Sequence, residues 1–435
     1  MIGNTGDSVS VTLPGYRLAI SNPPIARLQP THLEPTLAHK DNGMNISPAN
    51  KTAAAQTTIA HRHRTALALS LLGLPALLGV SGISSAATAY LGWVTGSTTD
   101  PYVNRCAINA TNSISTLPTN PNYVMAYRSG ADGCSSYAPT TGNGMIHRQG
   151  IQRLTRDGQN YLLVTMSTNS GIHPGFEVIR LGSRTGTTGL LGGYVTPLQY
   201  PSCADAVTRY HADDSTRDHA GGFHISGEYA IVPLESSNDS VGAGFRTAQL
   251  SVPATPSWSP MVMRQRSQTT NAGAAGMTRL SNGNFLALVF GNNSDDVEVF
   301  VSSSTSLPGH NGSASTWISM ASANTPFGSG NYQGLQLITQ CDGQLFVAGT
   351  HKNISTDWVD LWRVDLTASY VPTFTKVANR HMYCSTSNTG NTRYCDFQAG
   401  AGIYVNGSGG LQLYGVEHYN DGAPGTTRVV KVREF

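Results

Sequence analysis

Histidines and carboxylates crowd one stretch of the 435-residue chain, RYHADDSTRDHAGGFH at 209–224. It holds His211, Asp213, Asp214, Asp218, His219 and His224. Dense carboxylate oxygens suit Ca²⁺ or Mg²⁺, and converging imidazoles suit a transition metal such as Zn²⁺, Mn²⁺ or Fe²⁺. The spacing matches neither an HExxH pair nor an EF-hand loop, and a plain solvated loop is the rival reading. His219 and His224, which a strand would fix, are the better metal ligands, so the cofactor expectation is a divalent cation or none. Glu235 and Glu417 have the residue type for the acid and base of glycoside hydrolysis. His147 and His351 could instead move a proton beside a cation held by His219 and His224, as in lyase or metal-assisted hydrolytic chemistry. The region after residue 89 contains no G-x-S-x-G elbow, and no P-loop or dinucleotide fingerprint occurs. Serine-nucleophile and nucleotide-cofactor chemistry are thereby disfavoured.

The elements that must position these residues recur. Five degenerate copies begin at Gly150, Gly222, Gly276, Gly334 and Gly402, spaced by 72, 54, 58 and 68 residues. Each reads as a glycine, an alternating strand, a turn, an apolar strand, a polar loop and a third strand. The first turns carry hairpin chemistry: Asp157-Gly158, Gly227-Glu228, Asn282-Gly283, Asp342-Gly343 and Gly409-Gly410. Third strands are expected at 176–182, 245–252, 296–302, 358–366 and 427–435, and fourth strands at 193–199, 258–264, 315–321 and 373–378. The last copy ends at its third strand. Its outer strand must come from the N-terminal side, from WVTGS (93–97) or YVMAYRS (123–129).

Four-stranded antiparallel units repeated at this spacing resemble β-propeller blades, and the resemblance is one of architecture over nearly all of 90–435. It implies an all-β fold of five blades, or six if 90–145 holds a diverged one. No WD40-type signature is present. First strands would line the channel, with Ile151, Phe223, Met277, Leu335 and Ile403 packed inside the blades. Gln152, His224, Thr278, Gln336 and Tyr404 would then form a polar ring. The loops entering the first strands bring His147, Asp218, His219, Asn331 and Asp396 to one rim. The loops leaving the second strands bring Ser167, Glu235, Gly291, His351 and Glu417, with His418 next along. Glu235, Glu417, His147 and His351 are the catalytic candidates. Gln152, His224, Gln336, Tyr404, Asp218, Asn331 and His418 are the ligand-binding ones.

Residues 65–82 form the one long apolar stretch, after His61-Arg62-His63-Arg64 and before Ala87-Thr88-Ala89. This reads as a secretory signal, so 1–89 is leader, with Met1 or Met44 as start, and 90–435 is the domain. Loss of six basic and three acidic residues takes the net charge from +2 to −1. No basic stripe remains for nucleic acid, and no second span long enough for a bilayer follows. Charged residues are only 12% of the chain, against a usual ~25%. All six cysteines lie beyond the leader, which suggests disulfides in an oxidising compartment. Neighbour pairing gives Cys106–Cys134 and Cys384–Cys395, and leaves Cys203–Cys341. The expectation is a secreted, extracellular or periplasmic monomer acting on a glycan or other polar polymer, as a glycoside hydrolase or polysaccharide lyase with one composite site at the central funnel. The alternative is a non-catalytic, lectin-like propeller with one similar site per blade.

Overall fold

The computed structural model describes residues 105–129, 146–168, 174–182, 207–211, 216–217, 219–236, 241–253, 255–265, 271–291, 294–327, 332–353, 356–383, 397, 400–417 and 428–435. The proposed leader, the expected strand at 193–199 and Asp218, Asn331, Asp396 and His418 lie outside them. So do Cys134, Cys203, Cys384 and Cys395.

A short helix α1 (Ala110–Thr116) and strand β1 (Tyr123–Ser129) come first. Asn109 caps the helix, its side-chain oxygen accepting from the Asn112 amide at 2.9 Å. Then follow five runs of antiparallel strands. The first is β2 (Ile146–Arg156), β3 (Gln159–Thr168), β4 (Gly175–Gly182) and β5 (Val207–His211). In the second, the inner strand is split into β6 (His219–Ala220) and β7 (His224–Ser226), followed by β8 (Tyr229–Glu235) and β9 (Gly244–Gln249). Its outer edge is β10 (Ser257–Trp258) and β11 (Val262–Met263). The third is β12 (Ala274–Arg279), β13 (Phe285–Phe290), β14 (Asp296–Ser302) and β15 (Trp317–Asn324). The fourth is β16 (Gly334–Thr339), β17 (Leu345–Asn353), β18 (Thr356–Leu366) and β19 (Pro372–Met382). The fifth is β20 (Ala401–Val405), β21 (Leu411–Val416) and β22 (Arg428–Glu434).

Hydrogen bonding gathers these strands into four sheets in a β-propeller arrangement. The largest has eight strands because β2 and β20 share one parallel bridge, Gly150 to Ala401. Of the two segments expected to complete the last run, Tyr123–Ser129 does so, pairing along β22 from Tyr123↔Glu434 to Ser129↔Arg428. The partner of β4 is Val207–His211. His211, read from sequence as part of a loop patch, is therefore a strand residue.

The alternation along the inner strands has the expected consequence. Ile151, Phe223, Met277, Leu335 and Ile403 are at most 4% exposed, and each belongs to a different one of five apolar clusters. Every cluster joins residues of two neighbouring runs. Burying each such side chain stabilises the fold by about 1.5–3 kcal/mol. The turn glycines Gly158, Gly227, Gly283, Gly343 and Gly409 all have positive φ, which the hairpins require.

The inner strands also come very close together. A Cβ on Gly222 would stand 1.9 Å from the Gln333 carbonyl oxygen, and one on Gly402 1.7 Å from that of Ile151. Gly222 also bridges Ala274 of the third run. It thus touches the third and fourth runs at once, and backbone fills the middle of the channel at this level. The single continuous funnel expected from sequence is therefore divided into two compartments.

One disulfide lies among the described residues, Cys106–Cys341, across 235 residues of sequence. It overturns the Cys106–Cys134 and Cys203–Cys341 pairings. Neighbour pairing assumed that nearby cysteines meet. Instead the 106–117 segment runs under the hairpin ends of the fourth and fifth runs, where Ala107 exchanges backbone hydrogen bonds with Thr339 and Cys341. Ala110 and Ile114 then bury into the cluster shared by those runs. No helix among the described residues is long and apolar enough to cross a membrane.

Candidate active site

Where β2, β6 and β12 begin and β3, β8 and β21 end, polar groups from several runs meet. His219 and Glu235 are cross-strand partners of β6 and β8, with His219 Nδ1 2.6 Å from Glu235 Oε1. The second carboxylate oxygen accepts from the Ala272 amide at 2.9 Å, at the start of the third run. A carboxylate is acceptor-only, so it holds His219 with the proton on Nδ1. The other ring nitrogen is 2.7 Å from the side-chain nitrogen of Gln149, in the first run. Next to Gln149, Arg148 is fully buried and makes an ion pair with the equally buried Glu177, Nε to Oε2 3.1 Å.

Glu417 follows β21 in the fifth run, within range of the Arg148 charge. Burial pushes its carboxyl up to about 7, against the opposing influence of the Lys431 backbone and the charges of Lys431, Arg148 and Arg433. The result is a row drawn from four runs: hydrogen bonds join Gln149, His219, Glu235 and the Ala272 amide, the Arg148–Glu177 pair adjoins Gln149 in sequence, and Glu417 feels the Arg148 charge. One end is a carboxyl that carries a proton near neutrality. The other is an imidazole oriented by a carboxylate. Groups so poised can give and take protons.

Other candidates fall elsewhere. Ser167 fixes the inner strand, accepting from the Ala220 amide at 2.9 Å. His147 stands in β2 opposite Ser167. His351 belongs to a separate buried knot, its Nε2 3.2 Å from Asp360 Oδ2. That oxygen also accepts from Lys376 Nζ at 2.7 Å and from the Tyr332 hydroxyl. Burial works against the Asp360 charge, but hydrogen bonds from His351, Lys376 and Tyr332 outweigh it and hold the carboxyl below its ordinary value. His351 is thus bound to its own run.

Gln152, His224, Gln336 and Tyr404 lie on inner strands below the glycine level. His224 accepts from the Met277 amide at 3.2 Å, and burial lowers its pKa to about 4, so the ring is neutral. His219 and His224 therefore occupy different compartments, and both nitrogens of His219 are engaged. Among the described residues no group of three or more His, Cys, Asp or Glu side chains gathers in a way that could hold a metal ion.

Sequence reasoning missed Arg148, Gln149 and Glu177. The available signal was position: Arg148 and Gln149 directly precede the repeat glycine Gly150, in the same loop that drew attention to His147.

Antiparallel runs around a channel, with a polar row across their ends, define a β-propeller that carries a candidate acid–base site. No protein-family profile and no curated protein sequence matches the chain. Solved structures resemble it remotely. An α-L-arabinofuranosidase from Podospora anserina, in complex with cellotriose, is 10% identical with a TM-score of 0.41, covering 73% of this chain and 98% of that one. The catalytic domain of a GH62 α-L-arabinofuranosidase from Coprinopsis cinerea is 9% identical over the same shares, also at 0.41. An exo-1,5-α-L-arabinanase from a bovine ruminal metagenomic library is 13% identical, covers 67% and 93%, and has a TM-score of 0.35. None of these likenesses assigns chemistry to a residue of this chain.

Proposed function

We propose that the chain is a secreted five-bladed propeller enzyme that hydrolyses an extracellular polysaccharide at the Glu417–His219 row. The five apolar clusters support the blade count, with the eight-stranded sheet taken as two blades. Secretion is supported by the leader-like 61–89 segment and by the Cys106–Cys341 disulfide, since such bonds persist in oxidising compartments. The observation that carries the enzymatic reading is the Glu417 carboxyl, held protonated near neutrality in a row with a carboxylate-oriented histidine.

In this reading Glu417 protonates the departing glycosidic oxygen as the bond to the anomeric carbon breaks. His219 takes a proton from the attacking water, which replaces the Gln149 amide at Nε2. Glu235 is a positioning residue. A lectin would instead need equivalent groups on every blade. Here the five matched positions differ in setting: Ser167 holds backbone, Glu235 orients a histidine, Gly291 abuts the Asp296 side chain, His351 binds Asp360, and Glu417 lies near Arg148. One composite site fits that asymmetry better.

The test is turnover on a panel of neutral and acidic polysaccharides with wild type, Glu417→Gln and His219→Asn. Hydrolysis that falls at least about 100-fold in both variants supports the assignment, because positioned acid–base groups contribute about 10²–10⁴-fold. Glycan binding at several equivalent sites without turnover reverses it in favour of the lectin.

A further inference from the structure

On the other side of the glycine level lies a cavity of about 130 Å³, lined among others by Arg105, Gln152, Arg153, Thr155, His224 and Tyr404. Its polar chemistry is one-sided. Arg105 Nη1 donates to the Tyr404 hydroxyl at 2.6 Å. Arg153 donates to the side-chain oxygens of Gln412 at 3.1 Å and Asn160 at 3.0 Å. Both guanidinium groups lie against the Tyr404 ring, 5.7 and 4.7 Å from its centroid. These partners are all neutral. Glu434 accepts from the Tyr414 hydroxyl, which itself faces Arg153, so this carboxylate reaches Arg153 at second hand.

Two donors here have no partner. Gln152 is 2% exposed, lines the cavity, and its amide nitrogen makes no hydrogen bond; the buried Arg153 Nε makes none either. A buried donor left unsatisfied costs about 1–3 kcal/mol, so such a site favours a ligand that brings acceptors. Two positive charges and spare N–H groups around so small a space select an oxyanion. Arginine suits this role because its planar fork matches carboxylate and phosphate geometry.

We propose that this compartment is a second binding site, separate from the Glu417–His219 row, that takes a small oxyanion, either a carboxylate or a phosphate. The pinch at Gly222 keeps the two apart, so this ligand would not be the polymer undergoing reaction. It would fasten the hairpin ends of four runs to the 105–117 segment, which begins with Arg105.

The experiment is isothermal calorimetry on the whole protein in chloride-free buffer, with phosphate, acetate and galacturonate in separate titrations. Saturable one-site binding of at least one of them is expected, weakened at least about tenfold in Arg153→Met, as loss of a charge-assisted hydrogen bond implies. Arg105 is exposed, so Arg105→Gln serves as a second variant that keeps the fold if Arg153→Met does not, and the same weakening is expected there. Acetate or galacturonate without phosphate marks the source as a carboxylate, and phosphate alone marks a phosphate. No binding of any of the three at millimolar concentration, or binding unchanged in Arg105→Gln, overturns the proposal. Neither result bears on turnover at the other end, so each reading stands or falls alone.

Discussion

His219 and Glu235 face each other across two strands of one run, with the imidazole Nδ1 2.6 Å from the carboxylate Oε1. The pairing exists because the inner strand of that run is broken. Gly221 and Gly222 separate β6 from β7, so His219 registers with the end of β8 while His224 registers with Ile231. The expected outcome is a single tautomer for His219, protonated on Nδ1. Nitrogen NMR of histidine-labelled protein checks it, with Glu235→Gln as the control that releases the ring. A wild-type His219 protonated on Nε2 alone would refute the pairing. The same substitution should cost about 1–3 kcal/mol of stability if the new amide nitrogen faces the Ala272 N–H.

Glu417 links activity to stability with opposite signs. Its folded pKa of about 7 lies above the ordinary 4.5. Between those values the folded protein binds more protons than the unfolded chain, so stability falls as pH rises from about 4.5 to 7 and then levels off. The full penalty is about 3 kcal/mol, at 1.36 kcal/mol per unit. Glu417→Gln removes the titrating group. Urea melts at pH 5 and pH 8 should show the variant gaining on wild type at the higher pH, while its turnover is lost. A wild type equally stable at both pH values, with the variant no different, would show that Glu417 titrates normally.

The fold was more legible in the sequence than the site, for a physical reason. Strand alternation and turn glycines are local, and they placed Ile151, Phe223, Met277, Leu335 and Ile403 in separate cores. The expected third strand at 296–302 coincides with β14. Contacts between distant segments left no local trace. Glu177 reads as one charge in an alternating strand, and only folding buries it against Arg148. Likewise His351 stands at the same repeat position as Glu235 and Glu417, yet Asp360, nine residues on, captures it. Repeat position fixed the height of a residue in the ring, not the direction of its side chain.

Two glycines separate close approach from turn strain. Gly222→Ala would force a methyl to within 1.9 Å of a backbone oxygen that belongs to another run. Neither strand can yield without moving its neighbours, and overpacking of this kind typically costs about 1–3 kcal/mol or more. Gly158→Ala meets no atom within 4 Å, but its φ is +70°. That conformation costs an alanine about 1–2 kcal/mol. Thermal melts should therefore rank Gly222→Ala below Gly158→Ala, and combining the two should add their effects, since the sites share no partners. A Gly222→Ala protein as stable as wild type would mean that the channel is wider than described and that its two compartments communicate.

The disulfide should be worth more than its position near the chain's N-terminal side suggests. Cys106–Cys341 closes a loop of 235 residues, spanning most of the ring. In the chain-entropy view a bond across so long a loop restricts the unfolded chain by about 5 kcal/mol, while typical measured contributions are about 2–4 kcal/mol. The bond also fastens α1, whose Ala110 and Ile114 fill the cluster between the fourth and fifth runs. A Cys106→Ala/Cys341→Ala protein is expected to lose stability by about 2–5 kcal/mol in urea. The Arg105 side of the cavity should loosen with it, weakening oxyanion binding more than turnover at the opposite end. Peptide mapping without reductant gives the direct check: a peptide joining Cys106 to Cys341 is expected, and one joining Cys106 to Cys134 would contradict the path of the 106–117 segment under the hairpins.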